Sequence, residues 1–389
     1  MKVLHISTFE TECGIADYFG YYLDELNNLG VENDIFKIDP KKIERMNSNE
    51  ILKYYENGIK NIDNYDIIHI QHEYSFFTTI TKNNFKPTLL FKGINVLKSL
   101  KIFHDFLGKL TDKTVFVTFH SPAPFPFKNS LFNFIFRNYN YAKYFQKATK
   151  FLALVHTELN KKEQMDIGVC EDNLKVLRHP IKSFISNNSI NQNLKENISQ
   201  KLSLNENSIV LSMVGFIGKY KGYDVLLDLL KELPENYKAL ILGGPHPINI
   251  KPYEKFKKKV KDYSLEDRIF ITGFYEEDDL NTYFDLVDIF LAPYSNTFTN
   301  GSGALNVAIS SLKPVIVYNI PSFEEINSKF EPLILVEYEN KQQMKEKIIN
   351  IIKNQDIVEY HRKQAENYLN DMSYQKIAKK LLDFYEDYI

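Results

Sequence analysis

Short runs of β-branched and aromatic residues alternate with longer amphipathic stretches along almost the whole chain, and the alternation runs once, stops, and starts again. A strand buried on both faces reads as a brief apolar block, and a helix lying on such a sheet reads as a stripe of helical period. The pattern therefore predicts parallel sheets covered by helices. In the first half, strands are expected at Lys2–Ser7, Asp34–Ile38, Asp66–Gln71, Thr114–Phe119, Phe151–Val155 and Lys175–Leu177. They resume at Ile209–Val214, Lys238–Leu242, Arg268–Thr272, Ile289–Ala292, Pro314–Tyr318 and Ile334–Val336. Ile15, Phe19, Tyr22, Leu23, Leu26 and Leu29 recur at helical spacing, and Gly30 is expected to end that helix.

The break covers Ser183 to Asn207, where Asn, Ser and Gln dominate outside one short amphipathic stretch, and it reads as a linker. The expected fold class is α/β, with two Rossmann-like, doubly wound parallel-sheet domains at 1–184 and 205–371. A last helix over 372–389 carries an apolar stripe suited to packing back on the first domain. A length of 389 residues, too great for one ordinary core, agrees with that division. Open α/β sheets bind ligands at the carboxyl ends of their strands, so two such domains facing each other are expected to form a cleft.

Composition narrows the function. A formal net charge of -2 argues against a dedicated nucleic-acid binder, which needs a cationic surface to displace counterions from phosphates. The only cysteines are Cys13 and Cys170, too few for a disulfide framework and not spaced for a metal site. No apolar run approaches the roughly 20 residues that span a bilayer, and the apolar run at Met1–Ser7 is too short for a signal peptide. A cytoplasmic protein is expected.

Chemistry-bearing residues gather where strands end. Val214-Gly215-Phe216-Ile217-Gly218-Lys219-Tyr220-Lys221-Gly222 joins a strand to a helix through glycines and two lysines, which suits a diphosphate; the plain alternative is a solvated loop. After Ile289–Ala292 comes a second loop, ending in Ser302-Gly303-Ala304-Leu305, where a helix opens with amides able to bind phosphate or with a simple cap. Neither a Gly-x-Gly-x-x-Gly nor a P-loop pattern is present. In the first half Gly14 follows the first strand, His72 and Glu73 follow the third, and His120 follows the fourth; each has a structural alternative, a turn former or a satisfied hydrogen bond. His5 and His69 lie within strands and read as structural. Glu276-Glu277-Asp278-Asp279 precedes a helix, where acidic residues oppose the dipole, so capping is preferred over acid–base or metal chemistry. The aromatic stretch 125–145, with Lys128, Arg137 and Lys143, suits either core packing or a membrane surface carrying a lipid-linked acceptor.

Taken in order, Gly14-Ile15-Ala16, Ile68–Tyr74, Thr118-Phe119-His120, Val214-Gly215-Phe216 with Tyr220-Lys221-Gly222, Leu242–Pro247, Ile271–Phe274 and Ser302–Leu305 with Lys313–Ile316 resemble glycosyltransferase family 4 over essentially the whole chain. The resemblance implies the GT-B fold and a retaining transfer from a nucleotide-diphosphate sugar, the co-substrate, with no metal and no other cofactor. It implies that Lys221 and the Ser302–Leu305 amides hold the diphosphate and that Gly273, Phe274 and Tyr275 lie near the base. His120 would sit beside the transferred sugar, and Gly14 would let the first domain close over the phosphates. Two departures stand out. Members often carry arginine where this chain has Phe216, with Lys219 nearby as a substitute charge, and many carry glutamates where it has Thr299 and Val307. The acceptor is expected to be a glycan or lipid-linked, met near His72 and Glu73, with peripheral contact at the inner membrane face. The alternatives are a nucleotide-sugar hydrolase or epimerase, or an inactive homologue that binds partners in glycan assembly.

Overall fold

A computed structural model of the protein describes all residues except 12, 79–88, 124–135, 185–189 and 247–249, and leaves undescribed the side chains of 89–95. The chain divides into two compact units, Met1–His179 with Tyr374–Ile389, and Pro180–Ser373.

The first unit is a six-stranded parallel sheet in the order β2-β1-β3-β4-β5-β6. Its strands are β1 (Lys2–Ser7), β2 (Glu32–Lys37), β3 (Ile67–His72), β4 (Thr114–Phe119), β5 (Phe151–Val155) and β6 (Leu174–Val176). Every residue of β3, β4 and β5 is buried, so β5 reads as an unbroken apolar block, while β3 buries His69, Gln71 and His72 as well. Helix α1 (Gly14–Asn28) buries Ala16, Tyr18, Phe19, Tyr22 and Leu26, and ends just before Gly30, whose φ of 83° is open to glycine. Helices α2 (Ser48–Gly58), α3 (Leu89–Leu107) and α4 (Glu158–Asp166) complete the cover. The core between sheet and helices is aromatic, with Tyr55, Phe77, Phe103, Phe106, Phe119, Tyr141 and Phe145 packed together. Phe136, Tyr141 and Phe145 are therefore committed to that core and not to a membrane surface; 125–135 lie outside the described residues.

The second unit repeats the design in the order β12-β11-β10-β7-β8-β9. The strands are β7 (Ile209–Val214), β8 (Tyr237–Leu242), β9 (Ile269–Ile271), β10 (Ile289–Ala292), β11 (Val315–Tyr318) and β12 (Ile334–Val336). All twelve strands expected from the sequence are present, with ends within two residues of their expected positions.

The stretch expected to be a linker is corrected in part. It contains helix α5 (Gln192–Leu202), opened by the Asn191 side chain, which accepts from Leu194 N at 3.2 Å. Ile198 and Leu202 are buried, Lys195 pairs with Asp285 at 2.7 Å, and Asn191 N donates to Thr282 Oγ1 at 2.9 Å, so this helix belongs to the second unit. The remaining helices there are α6 (Tyr223–Glu232), α7 (Lys251–Asp262), α8 (Leu280–Leu286), α9 (Gly303–Ser310), α10 (Pro321–Asn327), α11 (Lys341–Lys353) and α12 (Gln355–Asp371). The last helix, α13 (Tyr374–Glu386), returns to the first unit and lies on α1, burying Tyr374, Ile377, Ala378, Leu381, Leu382 and Tyr385. Among the described residues no helix is long and apolar enough to cross a membrane.

Candidate functional site

In the second unit the loops leaving β7, β8 and β9 are tied backbone to backbone. Gly215 N donates to Leu242 O at 2.7 Å, Ile217 N to Gly244 O at 2.9 Å, and Gly273 N to Gly243 O at 3.1 Å. Two glycines make this possible. A side chain on Gly243 would collide with the Gly215 carbonyl, and one on Gly215, at φ 94°, would collide with the Lys221 ammonium.

Lys221 fills that space. It is 5% exposed, and Nζ donates to Val214 O at 3.0 Å over the rings of Tyr294 and Tyr220, 5.8 and 6.0 Å away. Among the described residues no carboxylate pairs with it, and burial without a counter-charge pushes its pKa down to about 7. The tip of α9 meets the same spot. A Cβ on Gly215 would lie 3.1 Å from the Ala304 methyl, and Tyr294, whose ring faces Lys221, shares a 3.2 Å hydrogen bond between its hydroxyl and Ser302 Oγ. Lys221 and Ser302 thus converge.

Ser302 is the N-cap of α9, and its Oγ accepts from Leu305 N at 3.1 Å. The Leu305 amide is therefore already satisfied and its side chain buried, which removes it from the expected set of donors. The amides of Gly303 and Ala304 have no partner among the described residues, and the space above Gly303 is open. Around this centre Lys219 is exposed, Phe216 lies edge-on to His246 at 5.1 Å, Phe274 is 66% exposed, and Tyr275 packs on Tyr283 at 6.1 Å beside Gly273, which has φ 77°. The acidic run sits at a helix start, but its side chains do not cap it. Glu277 pairs with Lys182 at 2.6 Å, and Asp279 accepts from Asn191 Nδ2 at 3.2 Å.

In the first unit Gly14 opens α1 with free space where a side chain would be. His120, half-buried at the end of β4, meets Gln71 Oε1 through Nε2 at 2.8 Å and His156 Nε2 through Nδ1 at 3.2 Å. Burial, then His156, His179, His72 and His69, hold its pKa well below the usual imidazole range. Glu73 is half-buried and accepts from Ser121 Oγ; burial raises its pKa against that bond and the Ser75 and Tyr74 amides.

His72 is corrected. It is 0% exposed and enclosed by Tyr74, Phe77, Phe103, Phe119 and Tyr141, and among the described residues neither ring nitrogen has a side-chain partner. Its neighbour Gln71 points to the opposite face. Residues the sequence reading passed over are Tyr294, which links lysine to cap, and His156. The latter stands just past β5, so the strand-end rule that selected His120 would have found it.

Residues 194–369 match the family described as "Glycosyl transferases group 1". An uncharacterized glycosyltransferase of Methanocaldococcus jannaschii is 23% identical over 212 residues, 51% of this chain, and the match spans only 56% of that protein's length. Among solved structures, a glycosyltransferase from Rickettsia africae superposes with a TM-score of 0.73 at 18% identity, covering 100% of this chain and 98% of that one. Anabaena HepE, crystallised with UDP and glucose, gives 0.71 at 13% identity with both chains fully covered at 100%. Over residues 194–369 the second unit is therefore similar to the glycosyl transferases group 1 family, and the chain shares the two-sheet fold of those solved glycosyltransferases.

Proposed function

We propose that this protein transfers a sugar from a nucleotide-diphosphate donor, bound by the second unit, to a glycan or lipid-linked acceptor, with retention of configuration and without a metal. One observation carries the proposal: a buried ammonium with no carboxylate partner among the described residues and the open amides of a helix tip meet at the same strand ends. When a nucleoside diphosphate leaves, negative charge grows on its terminal phosphate. Donors fixed in advance in a dry site stabilise that charge without reorganising. HepE, whose structures hold UDP and UDP-glucose, supports this choice of donor class.

Exposed Phe216 and Phe274 and half-buried Tyr275, on the loops that follow β7 and β9, offer apolar surface suited to a base or a sugar face. On the first unit, Glu73 is the remaining acceptor-side candidate, and His120 contacts the sugar. We place the protein in the cytoplasm, where Cys13 and Cys170 stay thiols.

A thermal-shift screen against UDP, GDP, ADP and their sugars tests the reading, because a ligand at a hundred times its Kd stabilises the folded state by about 2.7 kcal/mol. One diphosphate series is expected to raise the melting temperature of the wild type and to leave Lys221→Ala unmoved. No shift with any nucleotide, or equal shifts in both proteins, contradicts it. Phe216, standing exposed where the resemblance to glycosyltransferase family 4 implies arginine, favours a second reading in which the nucleotide binds and no glycosidic product forms. Product analysis separates the two: a new glycoside for transfer, free sugar for hydrolysis, neither for an inactive homologue.

A further inference from the structure

Helix α7 holds to the second unit by a narrow apolar edge and turns a row of cations outward. Phe256 and Val260, one turn apart, are buried, and Phe256 meets the Tyr223 ring at 5.7 Å. At the pitch of an α-helix, Lys251, Lys255 and Lys258 then line up on the opposite side, with Lys257 and Lys261 along the flank. All five are exposed.

These charges are not compensated within the fold. Of the six lysines on the helix, Lys259 pairs with Asp224 at 2.7 Å. Among the described residues no carboxylate pairs with the other five, Glu254 and Asp262 of the same helix included. Lysines elsewhere in this unit do find partners: Lys341 and Lys345 of α11 reach Asp228 and Glu232 of α6. Like charges four residues apart on a helix repel, and Lys251 with Lys255, and Lys257 with Lys261, stand at that spacing. Lys231, over the Tyr263 ring at 4.1 Å just past the helix, extends the patch. With a net charge of -2 for the whole chain, this is a local excess of positive charge.

The patch has an apolar end. Ile250, 50% exposed, stands at the head of the helix, and half-buried Tyr253 lies beside Lys257, whose Nζ is 5.7 Å from its ring. A row of lysines with an aliphatic side chain at its edge suits a surface that presents anionic groups over hydrocarbon, whereas a dissolved polyanion engages the lysines alone. The aromatic stretch expected to meet a membrane gives Phe136, Tyr141 and Phe145 to the core, so α7 is a different surface from the one the sequence suggested.

We propose that α7 docks the second unit on an anionic lipid surface, with Lys251, Lys255, Lys257, Lys258 and Lys261 on the headgroups and Ile250 entering between them. The proposal stands apart from the sugar-transfer reading. Each lysine brought to such a surface strengthens binding about fivefold, and salt screens the attraction.

Co-sedimentation with vesicles of phosphatidylcholine and phosphatidylglycerol, about three to one, tests it against vesicles of phosphatidylcholine alone. The wild type is expected to pellet with the charged vesicles, to stay in solution with the neutral ones, and to be released as salt rises. Lys251→Gln, Lys255→Gln and Lys258→Gln together are expected to weaken vesicle binding about a hundredfold without lowering the melting temperature, since glutamine is a good helix former. Ile250→Ser is expected to weaken binding to the vesicles and to leave binding to inorganic polyphosphate unchanged. A wild type that stays in solution with charged vesicles, or a triple variant that binds them equally well, overturns the proposal. Tighter binding to polyphosphate than to the charged vesicles, unmoved by Ile250→Ser, assigns the patch to a dissolved polyanion and overturns it too. Failure of any nucleotide to bind overturns the sugar-transfer reading and leaves the vesicle result to stand by itself.

Discussion

Among the described residues Lys221 donates to one carbonyl and has no counter-charge, and that sets how donor affinity responds to pH. Its pKa in the free protein is about 7, and an adjacent diphosphate raises it. Below pH 7 the lysine is already charged when the donor arrives. Above it, binding must take up a proton, so affinity is expected to fall by up to about tenfold per pH unit. Titrations between pH 6 and 9 check this, and a flat profile contradicts it. His72 makes a contrasting case. Its imidazole is buried among aromatic rings with no side-chain partner among the described residues, so His72→Phe is expected to stabilise the protein by about 1 kcal/mol and leave turnover intact, read from denaturant melts and initial rates. The strand-end rule identified the right end of β3 but not the face. Side chains alternate along a strand, and His69 and Gln71 share one face of β3 with His120 while His72 shares the other with Phe103. Counting by two from His69 would have placed His72 on the opposite face from Gln71.

At the scale of elements, the two helix openings differ in what a substitution does. Ser302 caps α9, so Ser302→Ala is expected to cost about 1 kcal/mol of stability in addition to weakening donor binding. Gly14 has free space where a side chain would go, so Gly14→Ala is expected to leave the melting temperature unchanged while lowering donor turnover. A matching loss of stability would show that Gly14 serves the fold instead. The strands were legible because burial on both faces leaves an apolar block that little else in a sequence imitates. Helix α5 was not legible because only Ile198 and Leu202 are buried along it, too thin a stripe to distinguish from a polar linker. Tyr294 escaped notice for a different reason: its role depends on the ring meeting Lys221, seventy-odd residues away in sequence, while its hydroxyl reaches Ser302.

For the whole molecule, titration separates the two units. His5, His69, His72 and His156 are buried in the first, with pKa values pushed to about 4 for His5, about 3 for His72 and His156, and well down for His69. The folded pKa lies below the unfolded one, so the unfolded chain binds more protons under pH 6.5. The stability contributed by these neutral rings is present above that pH and is lost as pH falls toward 4, at up to about 1.4 kcal/mol per pH unit for each ring. In the second unit His246 is exposed and His361 half-buried, and burial lowers both pKa values without pushing either as far as His5, His72 or His156. Hydrogen exchange at pH 5 is expected to show protection lost in the first unit before the second; loss in the reverse order contradicts the assignment. The central claim, that one lysine and one helix tip grip the same diphosphate, is tested most directly by calorimetric titration of wild type and Lys221→Ala with the nucleoside diphosphate that binds, and with its parent nucleoside. The account predicts that the substitution weakens the diphosphate at least tenfold and leaves the nucleoside unchanged. Equal affinity of both proteins for the diphosphate would contradict it.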